Sequence, residues 1–133
     1  MKKANLENQN AHQQFSGRRI DHWNNIGVNY SKYKKTATYY HRYLTKIYKQ
    51  LIPQNLKILE LGCGHGDLLN SLKPSQGVGV DFSKEMITQG KILNPDVEFI
   101  QQDAHEITLD KTFDIIIISD LLNDLWDVQE VFQ

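Results

Sequence analysis

The chain has 133 residues, of which 40% are hydrophobic and 23% charged, and its formal net charge at pH 7 is -1. This length fits one small domain or part of a larger one, and the near-neutral charge argues against a nucleic-acid partner. No apolar stretch is long enough for a membrane span or a signal peptide, and the single cysteine, Cys63, allows no internal disulfide. These features predict a cytoplasmic domain that does not contact a membrane.

The first segment, Met1 to Ser16, is rich in Asn, Gln and Lys and has few apolar residues. Such a segment buries too little surface to offset its ordering entropy, so we expect residues 1–16 to form a disordered tail. From Ile20 to Leu51, apolar and aromatic residues recur at spacings of three and four, which predicts an amphipathic helix within an N-terminal helical segment, residues 17–53. We expect this helix to be interrupted near Gly27 and Asn29.

The next segment, Lys57 to Leu69, combines an apolar strand with a glycine-rich turn and the start of a helix. The strand is of the kind that is buried on both faces of a parallel sheet. Glycines in such a turn allow positive φ and let a ligand approach the main chain and the first turn of the helix. Glu60, at the carboxyl end of the strand, offers an acceptor for a cationic or hydroxyl group. We therefore expect a cofactor on this turn.

Three further strands are predicted, at Gln76 to Val80, Val97 to Gln101 and Phe113 to Ser119. Asp81 closes the second of these four strands, about twenty residues after the first glycine. A nucleotide-binding βαβ unit places there the carboxylate that accepts hydrogen bonds from ribose hydroxyls. Ser83 is better placed than Asp81 to cap the following helix, which favours a binding role for Asp81.

This alternation of strands and helices predicts an α/β fold with a parallel sheet. Ligands of such sheets bind beyond the carboxyl ends of the strands. Each of the four predicted strands ends near a polar residue, namely Glu60, Asp81, Asp103 and Ser119. We expect these side chains to meet at one end of the sheet and to form a ligand site.

Four motifs resemble, in order and spacing, those of the class I S-adenosylmethionine-dependent methyltransferases: Glu60 to Gly66, Val80 to Ser83 with Met86, Gln102 to Ala104, and Phe113 to Ile116. The resemblance extends nearly to the end of the chain. It implies a Rossmann-like three-layer αβα sandwich with a mainly parallel sheet, preceded by an N-terminal helix. It also implies that residues 54–133 bind S-adenosyl-L-methionine as cofactor.

The same resemblance implies a role for individual residues at the methionine and ribose parts of the cofactor. Glu60 helps to hold the amino group beside the glycine loop, and Asp81 holds the ribose hydroxyls. Ser119 lies near the methionine end, and a tyrosine before the glycine loop, such as Tyr30, contacts the methionine carboxylate.

At the adenine part, the resemblance implies that Phe82 and Met86 flank the base. Asp103 accepts from the adenine amino group, and Ala104 supplies a backbone contact. The complete set of implied cofactor-binding residues is Glu60, Gly62, Cys63, Gly64, Gly66, Asp81, Phe82, Met86, Asp103, Ala104, Ser119 and Tyr30.

The chemistry of that family asks little of the protein beyond binding. Methyl transfer from a sulfonium is an in-line displacement with a good leaving group, so the enzyme binds, aligns and desolvates the reactants and needs no dedicated nucleophile; the sequence does not identify the catalytic residues. The segment Ser119 to Leu125 is similar to that of small-molecule methyltransferases and lacks the Asn-Pro-Pro-aromatic signature of amino-group DNA and protein enzymes. This similarity implies a small-molecule methyl acceptor.

The chain departs from the family pattern at its end. The family's sheet has seven strands, whereas Gln133 follows closely on the fourth strand and most of an acceptor pocket is absent. One edge of that strand, rich in isoleucine from Ile115 to Ile118, would be bare. We expect either a fragment, truncated after the fourth strand, or a homodimer that covers this edge.

Two other functions stay open. A NAD-dependent dehydrogenase uses the same βαβ unit, but its fingerprint needs Gly or Ala where this chain has Asp67. A non-catalytic module could keep the nucleotide fold for assembly or regulation.

Cys63, His65 and His105 lack a metal-ligand spacing, so no metal is predicted, and either histidine is a candidate general base. Trp126, with Val128, Val131 and Phe132, is expected to pack the last helix onto the sheet.

Overall fold

A computed structural model describes the backbone of residues 2–133 and the side chains of residues 6–30, 32 and 38–133. The helices are α1 (Lys2–Val28), α2 (Tyr30–Leu51), α3 (Asp67–Ser71), α4 (Lys84–Leu93) and α5 (Val128–Val131). The strands are β1 (Lys57–Leu61), β2 (Gln76–Asp81), β3 (Glu98–Gln101) and β4 (Ile115–Ile118). Short 3-10 turns at Ala104–Glu106 and Leu122–Asp124 follow β3 and β4. Within the described part of the chain, no helix is both long and apolar enough to cross a membrane.

The four strands form one parallel sheet in the order β3-β2-β1-β4. This arrangement confirms the expected α/β fold and its Rossmann-like, mainly parallel sheet. The chain passes from β3, at one edge of the sheet, to β4, at the opposite edge beside β1. The strand order therefore changes direction between β1 and β4, and open α/β sheets bind their ligands at such a point. Among the described residues β4 pairs only with β1, and Ile116 on this edge strand is 58% exposed.

Apolar clusters cover both faces of the sheet. On one face the short helix α3 and the helix α4 pack against β1 and β3 through a cluster that includes Ile58, Leu69, Ile87 and Phe99. The other face is covered by the irregular segment between β3 and β4 and by Val131 of α5. The central strands β1 and β2 are buried because apolar side chains point to both faces, as their near-continuous apolar runs predict, whereas the edge strands β3 and β4 have one buried residue each.

Side-chain caps fix where the later helices begin. The Ser83 hydroxyl accepts from the backbone amide of Met86 over 3.2 Å at the start of α4, as the sequence predicts. The Asp127 carboxylate accepts from the amides of Gln129 and Glu130 at the start of α5. Both caps lie beside the carboxyl ends of the strands and therefore shape that end of the sheet.

The N-terminal segment differs from the expectation of a disordered tail up to Ser16. Helix α1 already begins at Lys2, while Met1 lies outside the described residues. The rings of His12 and Phe15 lie 5.5 and 5.4 Å from that of Trp126, so contacts distant in sequence supply the burial that the segment lacks by itself. Trp126 therefore packs on α1, whereas Val131 packs on the apolar cluster of the sheet, as expected for the last helix.

Candidate functional site

A cavity of about 1130 Å³ opens at the carboxyl ends of the strands, between the sheet and the first two helices. The loops after β1, β2, β3 and β4 all reach it, and α1 and α2 complete its walls. Of the twelve residues implied by the family resemblance, eleven line this cavity and Gly66 does not: Glu60, Gly62, Cys63, Gly64, Asp81, Phe82, Met86, Asp103, Ala104, Ser119 and Tyr30. Tertiary structure thus gathers residues from positions 30 to 119 into one site.

The glycine turn after β1 is held against β2. The amides of Gly62 and Cys63 both donate to the carbonyl of Val80, over 2.8 and 3.1 Å. Gly64 has a φ of +54°, and a Cβ built there would meet no atom closer than the Met86 Sδ at 4.0 Å. The main chain at Gly64 is therefore accessible from the cavity, as a turn that cradles a ligand must be.

Gly66 serves packing. Its φ is +76°, it caps α3, and a Cβ there would come within 2.7 Å of Phe99 Cζ. The glycine lets the ring of Phe99 lie directly under the turn, which holds the loop on the sheet. Cys63 also packs, since a Cβ on Gly79 would lie 2.7 Å from its Sγ, and burial raises the pKa of the Cys63 thiol. This thiol is accordingly neutral at physiological pH.

Glu60 is a buried carboxylic acid at the wall of the cavity. The residue is 3% exposed, and its Oε2 has no hydrogen-bond partner in the described part of the chain. The pKa of the Glu60 carboxyl is raised to about 8, and burial is the largest cause. The nearby charges of Asp81 and Asp67 also raise this pKa, whereas a hydrogen bond with the backbone of Leu69 lowers it. A cationic donor that enters the cavity would both satisfy this oxygen and favour its ionised form.

Asp81 is held by two backbone amides. Its Oδ2 accepts from the Gly64 amide and its Oδ1 from the Ser83 amide, each over 2.9 Å. Burial raises the pKa of Asp81, while the hydrogen bonds from Ser83 and Gly64 lower it. A carboxylate has about four acceptor positions, so each oxygen can accept one more hydrogen bond from a hydroxyl in the cavity.

A third carboxylate, Asp103, lies after β3. Its Oδ1 accepts from the backbone amide of His105 over 2.9 Å and lies 2.7 Å from the His105 Nδ1. Phe82 and Met86 also line the cavity, as does Ala104. Apolar side chains and a carboxylate in one cavity are the groups that a planar base with an amino group requires.

The remaining predicted residues lie at the mouth of the cavity. The Tyr30 hydroxyl donates to Asp67 Oδ2 over 2.8 Å, and its ring lies 3.9 Å from that of His65. Burial and the Asp67 carboxylate raise the pKa of Tyr30. Ser119 lies beside Asp120, whose φ is +56° and whose Oδ1 accepts from Tyr40 over 2.8 Å. Both tyrosines therefore connect α2 to segments that follow strands, Tyr30 to the start of α3 and Tyr40 to the loop after β4.

Sequence reasoning missed the part of the site that α1 supplies. Phe15, Arg19 and Trp23 line the cavity, and the last two converge on the buried carboxylate of Asp124. The Trp23 Nε1 donates to Asp124 Oδ2 over 2.8 Å, and the Arg19 guanidinium pairs with Asp124 Oδ1. These three residues are four positions apart, which is typical of one face of a helix. The polar residues around them make this periodicity difficult to recognise in the sequence.

The cavity has the donors and acceptors that S-adenosylmethionine would need. The unsatisfied oxygen of Glu60 suits an ammonium group, the open turn at Gly64 suits close approach of a ligand, and the remaining acceptor capacity of Asp81 suits a pair of hydroxyls. These residues therefore fit that cofactor. The geometry by itself also fits other nucleosides with an amino-acid-like tail.

Comparison with protein families narrows the choice among these nucleoside ligands. Residues 52–133, which include the whole sheet, match a family model described as a methyltransferase domain.

Among known proteins, YqeM of Bacillus subtilis (strain 168), whose assignment as a methyltransferase is itself provisional, is 35% identical over 96 residues. That match covers 67% of this chain and 39% of YqeM. A malonyl-[acyl-carrier protein] O-methyltransferase of Bacillus cereus is 29% identical over 121 residues, which cover 84% of this chain and 44% of the relative. The chain thus spans less than half the length of either relative.

Among solved structures, a SAM-dependent methyltransferase of Thermotoga maritima, described as a possible histamine N-methyltransferase, superposes with a TM-score of 0.71. It covers 85% of this chain and 53% of that structure at 18% identity. At this identity the similarity supports the fold alone.

Proposed function

The chain belongs to the methyltransferase-domain family of S-adenosylmethionine-dependent methyltransferases, and on that premise we propose that it binds S-adenosylmethionine and carries the cofactor-binding part of a small-molecule methyltransferase. The observation that carries this proposal is the buried Glu60 with its unpartnered Oε2 beside the open turn at Gly64. A buried carboxyl oxygen without a partner costs stability, so its presence at the cavity favours a ligand that supplies the missing donor.

In this proposal each acidic residue recognises a different part of the cofactor. Glu60 accepts from the ammonium group of the methionine part, and Asp81 accepts from the ribose hydroxyls while its amide partners hold it in place. Asp103 accepts from the adenine amino group, and Phe82 and Met86 pack on the two faces of the base. The remaining residues, Gly62, Cys63, Gly64, Ala104, Ser119 and Tyr30, form the turn and the walls around these parts.

The cofactor, when bound, supplies a sulfonium methyl group that an acceptor nucleophile can displace in line. The residues of this chain would bind it, orient it and exclude water from one side of the cavity, and no covalent step on the protein is needed. Glu60 would lose its proton as the ammonium group binds, because the nearby positive charge lowers its pKa.

The proposal also specifies a small molecule as the methyl acceptor. The Bacillus cereus relative is named for methyl transfer to a malonyl group on a carrier protein, which supports a small acceptor group rather than a nucleic acid. The formal net charge of -1 agrees with that choice.

The test is calorimetric titration of the chain with S-adenosylmethionine and S-adenosylhomocysteine, with NAD as the control ligand. We expect micromolar binding of both sulfur nucleosides and none of NAD. Asp81→Ala should weaken this binding at least tenfold, since it removes an acceptor for two hydroxyls. The matched control is Asp96→Ala, at an exposed carboxylate in the turn before β3, which should bind as the wild type does. A folded chain that binds neither nucleoside contradicts the proposal.

A further inference from the structure

His105 lies between Asp103, which lines the cavity, and Asp127, the N-cap of α5, and bonds to both. On one side its Nδ1 is 2.7 Å from Asp103 Oδ1, and on the other its Nε2 accepts from the backbone amide of Asp127 over 3.2 Å. The imidazole therefore connects the loop after β3, which lines the cavity, to the N-cap of α5. The side chain of His105 is 6% exposed.

These two contacts determine which ring nitrogen carries the proton. A backbone amide can only donate, so the Nε2 that it contacts must present its lone pair. In the neutral ring the proton is then on Nδ1, where it donates to Asp103 Oδ1. Both nitrogens are thus engaged, and neither can take a proton from an acceptor substrate, which argues against His105 as a general base.

The donation by His105 leaves Asp103 with one free oxygen. Oδ1 accepts both from the backbone amide and from Nδ1 of His105, whereas Oδ2 makes no hydrogen bond with the described residues. The Asp103 side chain is 30% exposed and lines the cavity. Two hydrogen bonds to one oxygen hold the plane of the carboxylate and present the other oxygen for recognition.

We propose that His105 is a positioning residue that orients the Asp103 carboxylate, so that Oδ2 recognises the exocyclic amino group of adenine. This inference rests on the proposed function, because it assumes that the nucleoside of S-adenosylmethionine occupies the cavity. It adds a specificity determinant outside the motifs found in the sequence. The ring of His12, whose centroid is 5.7 Å from that of His105, packs against the imidazole edge but forms no hydrogen bond with Asp103.

The test compares two nucleosides that differ at C6 of the base and, as a consequence, in whether the neighbouring N1 carries a hydrogen; variants are compared by the change in preference relative to the wild type. S-adenosylhomocysteine carries an amino group at C6 of its purine, and S-inosylhomocysteine carries a carbonyl oxygen there. The ratio of their dissociation constants measures recognition of the amino group, and calorimetry on the chain gives both constants. We expect the wild type to prefer the adenine nucleoside, because a carboxylate oxygen accepts from an amino group and repels a carbonyl.

Two variants of similar size separate the roles of the two ring nitrogens. The amide nitrogen of His105→Asn falls near the position of Nδ1 and can still donate to Asp103. The longer side chain of His105→Gln reaches the position of Nε2 and can serve the Asp127 amide, but it leaves Asp103 without the donor. We expect the adenine preference to fall roughly tenfold in His105→Gln and to stay near the wild-type value in His105→Asn.

His12→Leu is the matched control, because it alters the packing around His105 without removing a hydrogen bond from Asp103. It should keep the wild-type ratio. An unchanged ratio in His105→Gln, or an equal loss of affinity for both nucleosides, would overturn the positioning role and leave a merely structural one. A wild type that binds S-adenosylhomocysteine without preferring adenine also overturns it, whereas a folded wild type that binds neither nucleoside refutes the proposed function itself.

Discussion

At the scale of single residues, Glu60 makes stability depend on pH. Burial raises the pKa of its carboxyl from 4.5 to about 8, so between these values the folded chain holds a proton that the unfolded chain releases. The free energy of unfolding must therefore fall as the pH rises through this window. The contribution is fully present below about pH 4.5 and is lost once the pH exceeds about 8.

Thermal unfolding at pH 5, 6, 7 and 8 tests this expectation. We predict that the melting temperature of the wild type falls across the series and that it falls less in Glu60→Gln, since an amide does not titrate. Burial also raises the pKa of Asp81, but that effect is common to both proteins and cancels in the difference. Glu130→Gln, at an exposed position, should follow the wild type. Parallel curves for the wild type and Glu60→Gln would contradict the burial of Glu60.

Replacement of glycine by alanine should have opposite effects on the free energy of unfolding at Gly66 and at Gly17. Gly66→Ala forces a positive φ on alanine and a contact of 2.7 Å with Phe99, and we expect it to lower the free energy of unfolding by about 2–4 kcal/mol. Gly17 lies inside α1 with nothing within 4 Å of the position of a Cβ. Gly17→Ala should therefore stabilise the chain by about 0.5–1 kcal/mol. Urea denaturation measures both, and a shift of the same sign in the two variants would refute this account.

At the scale of elements, α1 depends on tertiary contacts for its stability. Its polar composition and the absence of acidic residues in its first turn give it little stability alone. The contacts that hold it are the bonds of Arg19 and Trp23 to Asp124, and the hydrogen bond that the Ser83 hydroxyl donates to Asn24 Oδ1 over 2.6 Å. The helix forms one wall of the cavity, so these contacts also shape the site.

Removal of the Arg19 charge should loosen this helix. Arg19→Met leaves the buried Asp124 carboxylate without its cation, and we expect the free energy of unfolding to fall by about 1–3 kcal/mol. This decrease is smaller than for a fully buried ion pair because Arg19 is partly exposed to solvent. Arg18→Met is the matched control, because among the residues whose side chains are described Arg18 bonds only to the Gln14 carbonyl of its own helix. Amide hydrogen exchange should accelerate in α1 of Arg19→Met alone. Equal exchange in the two variants would show that this pair does not hold the helix.

At the scale of the whole molecule, the edge strand β4 should promote self-association. Among the described residues it pairs only with β1, it consists of four isoleucines, and Ile116 is 58% exposed. We predict concentration-dependent dimers or larger species in sedimentation velocity, and fewer of them in Ile116→Lys. Ile92→Lys, at a 70% exposed position on α4, is the control for a general effect of charge. A monodisperse wild-type monomer at high concentration would contradict the prediction.

Much of the domain could be predicted from the sequence because its signals are local. The glycine spacing after β1, the Ser83 cap and the apolar run of β4 each depend on residues within one element or turn. The parallel order of the strands follows from their alternation with helices, and it places Glu60, Asp81 and Asp103 at one end of the sheet. These inferences need only periodicity, backbone sterics and connection rules.

The sequence by itself therefore determined the α/β fold, the position of the site at the carboxyl ends of the strands, and the acids that line it. Only the tertiary structure decided the helical state of residues before Ser16, the packing of Trp126 on α1, the packing role of Gly66 and the orientation of Asp103 by His105. The physical reason is that each of these depends on partners far away in sequence or on the exact geometry of a turn, and the free energy of such contacts is absent from any local pattern.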